Sequence, residues 1–345
     1  MSERSISVDR PRSLRRFFFQ WEWLLVLIFI AVNLINSSLS RYYLNLRSLV
    51  GSTNSFLDMA FLVLPMTFVI ILGNIDISVA STVALSAVVM AVSFNAGLPM
   101  PLAAILCLVV GTACGLLNGL IMIKFKELSA VIVTLATMII YRGIAYVILE
   151  DQASGHFPKW YSFLAWGSIG PVPLILIVFA ACAIAFGLLL HKTSFGRKVF
   201  AMGNNLTAAR YSGIRTDSVI VAVSALTGLM AGFTSLFLSS RMGSTRPNVA
   251  LGYELSVIAM VVLGGVSTAG GSGRIGGPIL AVFIIGYLNY GLGLVNTTAN
   301  VLLIIIGSLL ILSVLVLNVR FGGHRRPAPP GARVIAPGKA PDEKA

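Results

Sequence analysis

Charged residues are scarce in this 345-residue chain, and acidic residues are the scarcest. Only 11% of the residues are charged, against about a quarter in soluble proteins, while 57% are hydrophobic. This balance excludes a soluble globular protein and indicates an integral membrane protein. The net charge of +13 comes from 25 Lys and Arg against 12 Asp and Glu. These basic residues are spread over loops and ends rather than clustered on a soluble domain, so we expect no nucleic-acid partner.

Cysteine and nucleotide-binding motifs are also lacking. Cys107, Cys114 and Cys182 all lie in apolar stretches, without the spacing of a metal site or of a disulfide framework. The phosphate-loop pattern G-x-x-x-x-G-K-[S/T] occurs nowhere in the chain. We therefore expect no catalytic residue, no metal site and no cofactor. If the protein takes part in ATP-driven transport, another chain hydrolyses the ATP.

Long apolar runs take up most of the chain, and ten of them have the length of transmembrane helices. A helix needs ~20 mostly apolar residues to cross the ~30 Å hydrocarbon layer. The runs are continuous rather than alternating, which favours helices over strands. We predict an all-α, polytopic membrane protein with about ten transmembrane helices. The predicted spans are 22–40, 54–72, 78–94, 100–123, 129–148, 172–190, 217–240, 254–266, 276–293 and 300–318.

The distribution of basic residues predicts the orientation of these spans, because cytoplasmic loops carry an excess of Lys and Arg. With the N-terminus inside, 19 of the 25 Lys and Arg residues fall on the cytoplasmic side. We therefore predict that both termini are cytoplasmic. The predicted organisation is a basic cytoplasmic arm over residues 1–20, a transmembrane domain over 21–320, and a disordered cytoplasmic tail over 321–345.

Small residues recur at four-residue spacing in two spans, which predicts close helix packing. Residues of this kind let two backbones approach each other. They are Gly111, Gly115 and Gly119 in the fourth span and Ser224, Gly228 and Gly232 in the seventh. A second glycine-rich stretch, residues 264–277, predicts tight turns and close packing at a broken helix.

A polar, basic segment lies between the sixth and seventh spans, and we call residues 191–216 the basic island. It carries five Lys and Arg residues and no acid. It also contains the signal of a short helix, with Asn205 or Thr207 as the N-cap, residues 208–210 as helix formers and Gly213 as the stop. A short helix in a cytoplasmic loop is suited to take a mechanical push from a separate motor protein. A loop that only sets the topology would explain the charges but not this helix signal.

Polar residues at membrane depth are the usual functional candidates. Asp76 and Ser78 follow a break at Gly73, between the second and third spans. Either residue caps the third span, where the helix dipole favours a carboxylate, or Asp76 contacts the transported solute. We favour the cap, because residues 75–78 directly precede an apolar span.

Hydroxyl and amide side chains form a second group of candidates. Thr134, Thr137 and Tyr141 lie at i, i+3 and i+7, on one face of the fifth span. They either line a path for a sugar or bond to the backbone of their own helix. Asn118, in the fourth span, is a single polar residue of the kind that more often holds helices together.

Four long stretches carry a further signal. They are GNIDISV (73–79), GLLNGLIMIKFKELSAVIVTLATMIIYRGIAYV (115–147), TSFGRKVFAMGNNLTAARYSGI (193–214) and YELSVIAMVVLGGVSTAGGSGRIGG (253–277). Together they resemble the inner-membrane permeases of bacterial ABC importers for sugars, the ribose, xylose, rhamnose and autoinducer-2 group. The resemblance covers about residues 20–318. Residues 239–265 and 73–81 are most similar to the rhamnose-type permeases, and the autoinducer-2 type comes next.

This resemblance implies an all-helical core in the bacterial inner membrane that pairs with a second permease subunit, either an identical or a sister chain. It also implies cytoplasmic ATPase subunits and a periplasmic or extracellular sugar-binding protein. On the same resemblance, residues 203–213 seat in the ATPase. The implied coupling residues are Gly203, Asn204, Asn205, Thr207, Ala208, Ala209, Arg210 and Gly213. The chain departs from the family at Asn74, where Gly is usual, which adds a side chain at the break.

The sequence therefore predicts the translocation subunit of an ABC importer for a sugar or a related small polar solute, rhamnose being one such sugar. The candidate path residues are Asn74, Asp76, Ser78, Asn118, Thr134, Thr137 and Tyr141. The alternative is a self-contained, ion-coupled secondary transporter. Such proteins place acids or His inside the membrane, and here only Asp58 and Asp76 are suitably placed.

Overall fold

The structure is a computed structural model that describes residues 21–297 and, beyond them, residues 301, 304, 305, 307, 308 and 311. The predicted arm, 1–20, and the predicted tail, 321–345, lie outside the described residues, as does most of the tenth predicted span, 300–318. The described part of the chain contains the other nine predicted spans.

Thirteen α-helices make up most of the described chain, which confirms the prediction of an all-α protein. The first six are α1 (Trp21–Leu39), α2 (Leu46–Ser52), α3 (Leu57–Ile71), α4 (Val79–Asn95), α5 (Met100–Lys124) and α6 (Ala130–Leu149). The others are α7 (Phe163–Trp166), α8 (Leu174–Lys192), α9 (Ser194–Asn204), α10 (Leu206–Tyr211), α11 (Thr216–Met242), α12 (Tyr253–Leu263) and α13 (Gly276–Leu294). Two 3₁₀ helices, Thr53–Ser55 and Lys159–Ser162, directly precede α3 and α7.

Five of the described helices, α5, α6, α8, α11 and α13, are long and apolar enough to cross a membrane. A sixth crossing results if Leu46–Ser55 and α3, which are bent by 63° at a break, are taken as one span. Shorter apolar helices lie in α1, α4 and α12. These lengths confirm a polytopic membrane protein. The eighth predicted span, 254–266, is only partly helical, because α12 ends at Leu263. The 11 residues of α12 rise ~16 Å, which is about half of the hydrocarbon layer.

The strands of the described chain are four two-residue pieces that lie in connections. β1 (Ser154–Gly155) pairs with β4 (Ser244–Thr245), and β2 (Ser168–Ile169) pairs with β3 (Val172–Pro173), both antiparallel. The first pairing ties the connection after α6 to the connection after α11. The strands therefore join loops and leave the helical character of the fold unchanged.

Helix α3 is the centre of the fold. Of its 15 residues, all but Met59 are buried, as expected for a helix that is apolar on every side. It packs on α8, α11, α12 and α13. The ring of Phe61 packs edge-on against Phe179 of α8 and at a tilt against Phe237 of α11, with ring centroids 5.8 and 4.9 Å apart. By contrast, only 28% of the apolar window of α6 and 22% of that of α8 are buried.

Helices α5 and α11 approach closely at the predicted small residues. A Cβ added at Gly111 would lie 2.8 Å from the Gly232 backbone nitrogen, and one at Gly115 would overlap the backbone at Ser224. Only glycine fits at these two positions. The predicted close helix packing is confirmed, and the structure shows that these two spans pack on each other.

The glycine-rich stretch 264–277 connects α12 to α13 through tight turns, as predicted. Gly270 and Gly271 have φ angles of +83° and +72°, a conformation that glycine adopts without strain. A Cβ on Gly277 would overlap the Gly264 carbonyl. This connection reaches the end of the bundle at which α8 ends and α11 begins, which we call the island end.

Candidate functional site

The basic island folds as two short helices, α9 and α10, between α8 and α11. The Asn205 side chain accepts a hydrogen bond from the Ala208 N–H at 2.9 Å and so is the N-cap of α10. The helix ends at Tyr211, and Gly213, with a φ of +82°, adopts the left-handed conformation that closes it. Of the two caps considered, the structure has Asn205 rather than Thr207, and the predicted stop is confirmed.

Helix α10 exposes apolar side chains although it lies in a polar segment. Leu206 is 45% exposed and Tyr211 is 89% exposed, and Ala208 is exposed as well. Ala209, by contrast, is buried against the rest of the island. Two large exposed apolar side chains on one six-residue helix form a surface suited to a protein partner. Leu206 and Tyr211 are not among the predicted coupling residues, and their only signal in the sequence is an apolar side chain inside a basic segment.

Charged side chains link the island to the connection between α5 and α6. Asp217, in the first turn of α11, lies 3.5 Å from Lys126 Nζ and 3.8 Å from Arg210 Nη2. The three side chains are about half exposed, so each pair contributes only ~0–1 kcal/mol to stability. Their effect is to orient Arg210, one of the predicted coupling residues.

The island contacts the core at the end of α3. Asn204 Nδ2 donates to the Gly271 carbonyl at 3.0 Å, and the Gly271 N–H donates to the Ile71 carbonyl at 2.8 Å. A Cβ on Gly203 would overlap that same Ile71 carbonyl, so the position accepts only glycine. Gly203 and Asn204 therefore lie where the island, α3 and the glycine-rich connection meet.

Beyond α3 the helical conformation is interrupted at Gly73. Four buried side chains near this break form one series of hydrogen bonds. The Tyr141 hydroxyl donates to Asn118 Oδ1 at 2.9 Å, and Asn118 Nδ2 donates to Ser78 Oγ at 2.8 Å. The Ser78 hydroxyl in turn donates to Asp76 Oδ1 at 2.6 Å. All four residues are buried. The structure thus brings together four predicted path residues from α6, α5 and the start of α4.

The predicted helix cap at this break is wrong in its geometry. Ser78 is the N-cap residue of α4, but its side chain makes no capping hydrogen bond. The reason is tertiary, because the Ser78 hydroxyl already accepts from Asn118 and donates to Asp76. Asp76 Oδ1 also accepts from the Ser78 N–H at 2.9 Å, so the carboxylate holds the cap residue itself.

Thr134 and Thr137 share the buried face of α6 with Tyr141, as their spacing predicts. The Thr137 hydroxyl donates to carbonyls of its own helix. Thr134 also bonds to its own helix, and its hydroxyl accepts a hydrogen bond from the Ile77 N–H at 3.3 Å. Of the two roles left open, bonding to the helix backbone holds for both residues, and Thr134 in addition supports the break.

A cavity of about 450 Å³ lies between the break and the island. Asn74 on the break and Arg210 on α10 both line it, together with Lys126 and Asp217. Asn74 therefore borders this cavity rather than joining the buried series of hydrogen bonds. One predicted coupling residue, Arg210, and one predicted path residue, Asn74, therefore border the same cavity.

A buried ion pair at the end opposite the island escaped the sequence analysis. Arg241, in the last turn of α11, lies 2.8 Å from the carboxylate of Asp58 on α3, and Asp58 is fully buried. The Tyr253 hydroxyl donates to the same carboxylate at 3.5 Å. The available signal was an acid inside one apolar span and a base directly after another, since such groups usually pair. Arg241, Tyr253 and Arg246 also line a cavity of about 320 Å³.

Within the described residues, no group of three or more His, Cys, Asp or Glu side chains is placed to hold a metal ion. Cys107, Cys114 and Cys182 are free, and the first two are buried. The polar groups at the break and the island form hydrogen-bonded supports.

Known proteins similar to this chain are transport permeases. The Autoinducer 2 import system permease protein LsrD of Yersinia enterocolitica serotype O:8 is 35% identical over 314 residues, which cover 89% of this chain and 94% of that protein. Proteins of the same name from Escherichia coli strain K12 and from Shigella flexneri are each 35% identical over 306 residues, covering 87% of this chain and 92% of theirs. No solved structure matches the chain.

A family profile agrees with these relatives. The family described as the permease component of branched-chain amino acid transport systems matches residues 48–314. That range includes the break after α3, the basic island and the glycine-rich connection. It also includes all five described helices that are long enough to cross a membrane. The chain therefore belongs to this family of transport permeases and is a multi-pass protein of the inner membrane.

Proposed function

We propose that the chain forms the translocation path of an ATP-binding-cassette importer for a sugar or a related small polar solute, and that the basic island couples this path to a separate ATPase. The relatives described above are named for the import of autoinducer 2, so this compound is the first solute to test. Rhamnose, to which the sequence motifs point, is the second. The remaining partners are a second permease subunit and an external binding protein.

The observation that carries this proposal is the short connection from the surface of α10, through the end of α9, to the end of α3. At one end, Leu206 and Tyr211 are exposed for a partner. At the other end, Gly203 packs directly on the Ile71 carbonyl, two residues before the break begins at Gly73. A displacement of α10 by a bound ATPase is therefore passed to the end of α3 and to the break.

The two groups of path residues have different roles in this proposal. Asp76, Ser78, Asn118 and Tyr141 are buried and bonded to one another, so they set the position of the break. Asn74 borders the cavity at the island end and is the candidate for direct contact with the solute. With the island in the cytoplasm, as the basic residues predict, this cavity is on the exit side of the path.

The ion-coupled alternative has less support. A carboxylate that carries a coupling ion or proton has to exchange partners during each transport cycle. Asp58 is held by Arg241, and Asp76 accepts two hydrogen bonds from Ser78. Neither acid has the open surroundings that such an exchange needs.

The variant Ala208→Asp tests the coupling role. Ala208 is exposed on the free chain, so we expect normal folding and membrane insertion. An unpaired carboxylate in a contact with the ATPase would cost several kcal/mol, and ~1.4 kcal/mol already weakens binding about tenfold. We expect the uptake of autoinducer 2 or rhamnose, and the co-purification of the ATPase, to fall at least about tenfold.

Ser218→Asp is the matched control. It adds the same charge at another exposed position, in the first turn of α11, where the helix dipole favours an acid. We expect this variant to transport like the unmodified chain. If Ala208→Asp also binds the ATPase and transports normally, the assignment of α10 as the coupling helix is wrong.

A further inference from the structure

A short helical segment at the end opposite the island turns aromatic side chains outward. It consists of the 3₁₀ helix Lys159–Ser162 and α7, and we call residues 159–166 the aromatic segment. Tyr161 and Ala165 are buried on its inner side. Its large exposed side chains are Trp160, Phe163 and Trp166, which are 60%, 55% and 57% exposed.

The aromatic segment is held firmly on α11. The Tyr161 hydroxyl donates to the Leu236 carbonyl at 2.8 Å, and the Ser240 hydroxyl donates to the Tyr161 carbonyl at 2.6 Å. Trp166 Nε1 donates to the Arg241 carbonyl at 3.1 Å. The outward direction of the aromatic rings is therefore set by tertiary contacts. Because the indole N–H of Trp166 is already bonded, its exposed surface is the apolar ring.

The length of α11 places this segment at the edge of the hydrocarbon layer. Its 27 residues rise ~40 Å, about 10 Å more than the ~30 Å layer. With α11 centred in the membrane, the layer ends about three residues before Met242, close to Ser239. The contacts of the aromatic segment run from Leu236 to Arg241 and so straddle this depth.

The neighbourhood of the segment is also that of a lipid-facing surface. α7 packs on α8, the long span with the smallest buried share of its apolar window. α8 exposes Ile177, Ile184 and Leu188 along its length, and apolar surface of this kind is covered by lipid in a membrane protein. The 19 residues of α8 rise ~28 Å, so its start at Leu174 lies at the same boundary.

We propose that the aromatic segment is an interfacial lipid anchor, which seats Trp160, Phe163 and Trp166 in the boundary between headgroups and acyl chains of the leaflet opposite the island. Tryptophan is enriched at this depth because its ring is apolar and its edge is polar. Lys159 is exposed at the start of the segment, where its ammonium group reaches lipid phosphates. The anchor holds the end of α11 that carries Arg241 at a constant depth.

Depth-dependent fluorescence quenching tests this anchor on the full chain in lipid nanodiscs. Trp21, Trp23 and one tryptophan of the segment are replaced by Phe, which leaves Trp160 or Trp166 as the only tryptophan. We expect lipids brominated close to the headgroup to quench either residue at least about twofold more strongly than lipids brominated near the chain end. Aqueous iodide should quench them weakly.

A water-exposed control comes from the island. Tyr211 is 89% exposed, so Tyr211→Trp in a chain without other tryptophans should be quenched by iodide and by neither lipid. If Trp160 and Trp166 behave like this control, the segment faces water and is open to a protein partner, and the lipid anchor is disproved. Stronger quenching by the deeply brominated lipid would equally disprove the proposed depth.

A second measurement does not depend on single-tryptophan chains. The double variant Trp160→Phe with Trp166→Phe keeps Trp21 and Trp23, and both substitutions retain an apolar ring. We expect the fluorescence that shallow brominated lipid quenches to fall relative to the unmodified chain. An unchanged amount of lipid-quenched fluorescence would show that the segment makes no lipid contact.

Discussion

The two ends of α3 are held by different chemistry. At the end opposite the island, the side chains of Asp58 and Arg241 form an ion pair of 2.8 Å. At the island end, the Ile71 carbonyl accepts from the Gly271 N–H at 2.8 Å and packs against Gly203 without a side chain between them. Side chains can part while their backbones stay in place, whereas backbones in contact have to move together. We therefore expect the ion pair to govern stability and the glycine contact to govern coupling.

Neutralising the ion pair should have the largest effect on stability. Asp58→Asn keeps the size of the side chain but leaves Arg241 without its charged partner, at a cost of about 3–5 kcal/mol. We expect a much lower unfolding temperature of the purified protein. The double variant Asp58→Asn with Arg241→Gln removes both charges and should be more stable than Asp58→Asn alone. A double variant that is no more stable would show that the pair is not the source of the loss.

Adding one methyl group at the island end should act on transport more than on stability. In Gly203→Ala the new Cβ overlaps the Ile71 carbonyl, and the backbone shift that relieves it costs about 1–3 kcal/mol. We expect uptake to be largely lost while the protein remains folded in the membrane. Gly143→Ala is the control, because a Cβ there meets nothing within 4 Å. Normal uptake by Gly203→Ala would contradict the proposed transmission through this contact.

Two substitutions of Asp76, at the break next to this contact, separate the effect of its charge from the effect of its hydrogen bonds. Asp76→Asn keeps an oxygen that can accept from the Ser78 N–H and hydroxyl, so we expect a small loss of stability. Asp76→Ala leaves these buried donors unpaired, which costs about 1–3 kcal/mol. Thermal unfolding and uptake of the two variants, measured side by side, decide the point. Equal loss in both variants would show that the charge itself is required.

The smallest expected effect concerns an uncharged contact at the end opposite the island. Tyr161→Phe removes the hydroxyl bonded to the Leu236 carbonyl and should cost about 0.5–1.5 kcal/mol. Burial raises the pKa of Tyr161, so this stabilisation is complete below about pH 10 and is lost as the pH rises further. The difference in unfolding temperature between the two proteins should therefore be constant from neutral pH up to that point. A difference that changes between pH 6 and 8 would contradict this origin.

Residues that are close together in the sequence were sufficient to predict the helices and part of the candidate site. Continuous apolar runs predict the spans, because each span satisfies its own backbone hydrogen bonds. Small residues four apart predict a closely packed face on α5 and on α11, since this spacing keeps them on one helix face. The N-cap of α10 at Asn205 and its end before Gly213 depend on residues within one turn of each other. In each case the determining residues are neighbours along the chain.

Partners that are far apart in the sequence could not be predicted in this way. Thr134, Thr137 and Tyr141 were expected on one face, but their spacing does not identify the side chains opposite them. The predicted cap is wrong for the same reason. The Ser78 hydroxyl accepts a hydrogen bond from Asn118, which lies on a different helix. Likewise, Asp58 was a candidate for ion coupling by its place in a span, while its partner Arg241 lies on α11.

The sequence by itself determined that this protein is an all-α membrane protein with a capped helix in its basic island, because composition, apolar run length and capping act over short stretches of chain. Only the tertiary structure decided that Gly203 touches Ile71, that Asp58 meets Arg241, and that the aromatic segment turns outward on α11. These contacts depend on the rotation and depth of whole helices relative to one another. Those quantities follow from packing between segments that are distant along the chain.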